Sequence, residues 1–167
     1  MLNLTDYTTY DEVRAILGVS DEELDDEVLG LPLIALGLEG ELDDVTPVLI
    51  PKYDELRAKK ETGVALEPME QRLLNVTQVF AAYAVAKNML ASETRFALKK
   101  ITDGKASMER FSGDNAALLE GVMNGYYQAR ARLIAILVSM GLMEAPTVRR
   151  RAYFGVAGLS RDPVTGV

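Results

Sequence analysis

The sequence predicts a mainly α protein: a helical bundle with two long helices, short N-terminal helices, a small β-hairpin between the long helices and an extended C-terminal arm. Three observations lead there. Apolar residues recur every three or four positions over residues 68–92 and 115–141, the spacing that keeps side chains on one helical face. Cap-type residues precede the shorter apolar runs near the front. The period then stops after Gly141, in a tail whose residues are of binding type rather than core type. The expected division is a helical body over 1–145, with the hairpin at about 94–111, and an arm over 146–167.

Composition narrows the chemistry. The 167 residues are enough for one domain with a real core, and 49% are apolar, which argues against global disorder. There is no Cys and no His, so thiol nucleophiles, disulfides, zinc–thiolate sites and imidazole acid–base chemistry all drop out. The net charge of −7 is uneven: residues 1–62 carry 16 acids against 5 bases, whereas 63–167 carry 9 against 13. Such a front end disfavours broad nucleic-acid binding and suits basic protein surfaces, or is simply a solvated acidic face. Met1–Asp6 has neither a basic flank nor a signal-peptide core. The longest apolar run, Leu29–Leu38, holds Pro32 and two glycines and is about half a membrane span. A soluble protein without membrane contact is expected.

Thr9 and Glu12 form a capping box ahead of a short helix, Tyr10–Leu17, which Gly18 ends. Ser20 and Glu23 repeat the pattern ahead of a second helix running to about Leu29. This pair has the look of a helix-turn-helix. Its would-be reading helix, however, carries Asp21, Glu22, Glu23, Asp25, Asp26 and Glu27, which phosphates would repel. A compact helical corner is the other reading. Next come a helix over Leu31–Asp44, weakened by Gly37 and Gly40, and one from Thr46-Pro47 to about Lys60, in which Pro51 is a candidate bend.

Pro68 opens the first long helix, in which Met69, Leu73, Val76, Phe80, Tyr83 and Leu90 make a heptad-like stripe. Ala81, Ala82, Ala84, Ala86 and Ala91 let neighbours approach closely, and Lys87 reads as a snorkelling lysine at the bundle edge, a buried role being the other reading. The second long helix, Asn115–Gly141, is expected to organise the bundle. Leu119, Val122, Tyr126, Ala129, Leu133, Ile136 and Met140 form its main stripe. Leu118, Ile134, Leu137 and Val138 form a second apolar edge, free to meet another copy of the chain.

Between the long helices, Asp103-Gly104 is a two-residue hairpin signal within the basic segment Thr94–Phe111, which holds Arg95, Lys99, Lys100, Lys105 and Arg110. Continuation of the preceding helix to Lys100 is the competing reading, since no proline forbids it. After Ala145-Pro146, Arg149, Arg150 and Arg151 stand beside Tyr153 and Phe154, residue types enriched at binding hot spots, although a frayed terminus has the same look. No Gly-rich phosphate loop, nucleophile elbow or Glu-x-x-His pair is present, and adjacent acids such as Asp25/Asp26 and Asp43/Asp44 point apart on a helix. The chain therefore reads as non-enzymatic, with no catalytic, cofactor or metal residues.

The front run Tyr10-Asp11-Glu12-Val13-Arg14-Ala15-Ile16-Leu17-Gly18-Val19-Ser20 with its acidic continuation to Asp26, and the basic segment Lys99–Phe111, resemble the head-to-tail connector, or adaptor, proteins of tailed bacteriophages. The order of short helices, two long helices and a non-helical arm agrees. The resemblance implies a virion protein of the head–tail interface, assembled in the host cytoplasm. It implies a ring, usually dodecameric, beneath the portal protein, which extends the channel for double-stranded DNA and offers a platform to the next tail or head-closure protein. Arg149, Arg150, Arg151, Tyr153 and Phe154 would then grip the portal. Leu118, Ile134, Leu137 and Val138 would make ring contacts, and Lys99, Lys100, Lys105 and Arg110 would line the channel or meet a neighbour. A DNA-binding regulator using the front helix pair is the alternative, and an enzyme built on exposed carboxylates is a distant third.

Overall fold

A computed structural model describes residues 2–91 and 115–145. Those residues are mainly helical and contain no strand. The hairpin expected at about 94–111 and the arm expected at 146–167 lie outside the described residues.

After a 3₁₀ turn at Leu4–Asp6, helix α1 spans Tyr10–Leu17. Thr9 accepts from the Glu12 N–H, and the Glu12 carboxylate accepts from the Thr9 N–H at 3.0 Å, so both orphan donors are closed reciprocally. Gly18 ends the helix at φ 66°, a conformation glycine adopts without a Cβ penalty. The second capping signal behaves differently. Glu23 reaches back to the Ser20 N–H at 2.9 Å, yet the chain only turns there, and α2 is the single turn Asp26–Leu29, capped by Asp25. A helix from Ser20 would set Glu22 over Asp26 and Glu23 over Glu27, like-charge pairs at i, i+4. Arg14 instead donates from Nε to the Leu24 carbonyl at 2.8 Å and pairs with Asp11 and Asp26. The turn drops Leu24 into the core.

Helix α3 is Pro32–Asp43 and α4 is Leu49–Glu61. Pro51 falls in the first turn of α4, where its missing N–H forfeits no helical bond, so it imposes no break. The two long helices are α5, Pro68–Ala91, and α6, Asn115–Ser139. Gly141 closes α6 with φ 68°, and the Leu142 N–H returns to the Leu137 carbonyl at 2.9 Å.

The organising element is α5, not α6 as its periodicity suggests. α5 packs against α1, α3, α4 and α6. Leu73, Phe80, Ala81, Ala84, Val85, Ala86 and Met89 are all buried, on more than one face. The alanines are the physical reason: a helix with thin sides can be approached from several directions at once. Of the expected stripe, Leu73 and Phe80 are buried; Val76, Tyr83 and Leu90 are half-buried and Met69 is exposed.

The 3₁₀ turn is tied to α4 by aromatic packing. The Tyr7 and Tyr53 rings stack at 4.4 Å, Tyr7 donates to the Asp54 carboxylate at 2.9 Å and Tyr53 donates to the Asp6 carbonyl at 3.1 Å. Burial, then the Asp54 carboxylate, pushes the Tyr7 hydroxyl far above the ordinary phenol range; burial also raises Tyr53. A raised folded pKa means that the stabilisation is complete below the unfolded value of about 10 and is lost as pH climbs through the folded value. The unfolding midpoint is therefore expected to fall above pH ~10. Tyr7→Phe should flatten that decline, as followed by thermal melts beside phenolate absorbance.

Candidate interaction surfaces

A polar seam fixes how α3, α5 and α6 meet. Lys87 on α5 pairs with Glu41 on α3, and its ammonium sits 4.2 Å above the Tyr126 ring of α6. Tyr126 donates to the other oxygen of Glu41 at 2.6 Å. Burial, then Glu41, raises the Tyr126 hydroxyl above the ordinary phenol range. Arg130, one turn on, donates to the Asp44 carbonyl at 3.4 Å. Lys87 is thus a partnered cation inside the seam, rather than the snorkelling edge lysine its position suggests. Its partner is 46 residues away and leaves no local signal.

With that seam set, α6 has two open flanks. Leu137 is 0% exposed and belongs to the core of the single chain, so it is removed from the ring-contact set. Leu118, Ile134 and Val138 are half-buried. They do not form one edge either: Leu118 and Ile134 are separated by about four and a half helical turns and face nearly opposite ways. Ile134 and Val138 share their face with Tyr127, which is 58% exposed. Tyr127 was missed by the apolar pattern, and Leu119, expected on the buried stripe, is 44% exposed. The run Leu31–Leu36 also leaves Leu31, Leu33 and Leu36 exposed; where nearly every residue is apolar, periodicity cannot say which face is outside.

On the Leu118 flank, an open groove of about 460 Å³ lies between α1 and α6, floored by Tyr83. Beside it, an acidic cleft of about 740 Å³ is walled by the α1–α2 corner. Among the described residues no cluster of His, Cys, Asp or Glu is arranged to hold a metal ion, and no helix is long and apolar enough to cross a membrane.

The chain matches no known family model, and no curated protein or solved structure matches it.

Of the other residues singled out from sequence, Lys99, Lys100, Lys105 and Arg110 and the arm set Arg149, Arg150, Arg151, Tyr153 and Phe154 lie outside the described residues. The acids of the supposed reading helix, Asp21, Glu22, Glu23, Asp25, Asp26 and Glu27, are all exposed.

Proposed function

We propose that this chain is a structural, non-enzymatic head-to-tail adaptor of a tailed phage. It forms a ring, dodecameric in this reading, beneath the portal, extends the DNA channel and docks the next tail or head-closure component. The observation that carries the reading is the pair of open apolar flanks on α6, Leu118 with its groove on one side and Tyr127, Ile134 and Val138 on the other. Subunits that pair two different patches head to tail make heterologous contacts, the kind that closes into rings. The acidic front end supports a conduit that lets DNA pass without holding it.

In this reading Arg149–Phe154 grips the portal, with aromatics filling pockets and arginines pairing with portal carboxylates. Lys99, Lys100, Lys105 and Arg110 line the channel or meet a neighbour. Deleting residues 149–167 is expected to abolish co-purification with the portal while leaving the helical body folded. Retained attachment would overturn the role of the arm. The DNA-reading alternative has less support: its reading helix is one four-residue turn surrounded by exposed acids.

A further inference from the structure

The apolar groove and the acidic cleft are neighbours: Ala15 of α1 lines both. The groove is walled by Ile16, Leu118, Gly121 and Val122 over the Tyr83 ring, a lining with no charged side chain. The cleft presents five carboxylates, Asp11, Asp21, Glu22, Asp25 and Asp26, against one guanidinium, Arg14, a net charge of −4. Arg14 does not serve an incoming ligand. Its side chain is 9% exposed, and all three of its nitrogens already donate, to the Leu24 carbonyl, Asp11 and Asp26. What fits the two cavities together is a short segment with several cations next to bulky apolar side chains.

This chain carries such a segment: Arg149-Arg150-Arg151-Ala152-Tyr153-Phe154. In extended backbone, Arg151 and Tyr153 are about 7 Å apart, a short step between two cavities that share the Ala15 wall. Three arginines against the net −4 nearly cancel the charge, and guanidinium–carboxylate pairing favours arginine over lysine there.

Reach decides which copy supplies the segment. The chain is pinned at Leu142, whose N–H bonds the Leu137 carbonyl. Leu137 stands about 22 Å along α6 from Val122 at the groove. The seven residues from Leu142 to Arg149 span at most about 24 Å, and the cleft is lined by no α6 residue. For all three arginines to reach the cleft within one copy, the chain from Leu142 would have to be close to fully extended, which disfavours that arrangement.

We propose that groove and cleft together receive Arg149–Phe154 of a second copy of this chain, aromatics in the groove and arginines against the carboxylates. This requires only two copies and does not rest on the virion reading. Where both hold, the arm occupies the groove only until the ring closes: the Tyr127 flank of a neighbouring copy then displaces it and frees it for the portal.

The test uses the full chain alone. A photo-cross-linking amino acid replaces Ala152, isotopically light and heavy chains are mixed, and cross-linked peptides are mapped by mass spectrometry. Light–heavy cross-links to residues 11–26 and 117–122 are expected. An added Cβ at Gly121 meets nothing within 4 Å, so Gly121→Leu obstructs the groove without lowering helicity or the unfolding midpoint. It should lower the yield about tenfold. The triple change Arg149→Glu, Arg150→Glu, Arg151→Glu should do the same, and adding Asp21→Lys, Glu22→Lys and Asp25→Lys should restore it. Cross-links confined to one isotope, cross-links to another face, or a yield indifferent to both groove and charge variants would each overturn the proposal.

Discussion

Glu41→Ala is expected to destabilise the protein by about 2–3 kcal/mol. Glu41 serves two partners on two helices, the Lys87 ammonium and the Tyr126 hydroxyl. Removing it leaves a cation and a phenol in the seam without their acceptor, and an unmatched buried group costs more than the intact pair contributes. The Glu41 and Lys87 side chains are 16% and 21% exposed, so water relieves part of the penalty, which sets the figure below that of a fully buried pair. Removing both charges should cost less than the sum of the parts. Glu41→Leu with Lys87→Met is expected to recover at least ~1 kcal/mol relative to additivity. Urea unfolding of the four chains in the cycle measures this. A Glu41→Ala loss under ~0.5 kcal/mol would mean that the seam orients the helices without holding them together.

Gly125→Ala and Gly121→Ala, one helical turn apart on α6, are expected to move stability in opposite directions. A Cβ built on Gly125 would stand 2.1 Å from the Tyr83 ring, whereas one on Gly121 meets nothing. Alanine gains about 0.5–1 kcal/mol over glycine in a helix interior, so Gly121→Ala should stabilise by up to that amount. At Gly125 the same gain is offset by forcing Tyr83 off its seat between α5 and α6, an overpacking cost of about 1–3 kcal/mol. The net change there should be a loss, and it should shrink when Tyr83 is first reduced to alanine. Thermal or denaturant unfolding of the single and double variants gives the answer, and equal effects at the two glycines would refute close approach of the helices at Gly125.

The same contact shows what a sequence can and cannot disclose. Gly121 and Gly125 are indistinguishable in the chain; only the position of a tyrosine from another helix separates them. The Thr9–Glu12 box was readable because it closes within four residues and needs nothing from outside. Ser20–Glu23 carries the same local signature and makes part of the same contact, yet no long helix follows. Arg14, ten residues upstream of Leu24, claims that carbonyl, and like charges along residues 21–27 resist a helix. On α6 the main stripe was mostly readable, with Val122, Tyr126, Ala129, Leu133 and Ile136 buried as expected. Its second edge was not. Leu137 turned inward, and Leu118 parted from Ile134 and Val138, because a helix among several neighbours has no single outside.

Read along the chain alone, the residues establish that this protein is mainly helical, where α1 and α3 begin and end, where α5 begins and where α6 ends, each to within a few residues, and that the front end is acidic. Those properties depend on cap chemistry, residue spacing and composition, all of which act along the chain. The tertiary structure alone decided that α5 is the centre, that Lys87 is answered by Glu41 and Tyr126, and that an apolar groove and an acidic cleft share Ala15. Each of these is a juxtaposition of residues far apart in sequence, fixed by which helix faces can approach most closely, and alanine and glycine sides permit the closest approach.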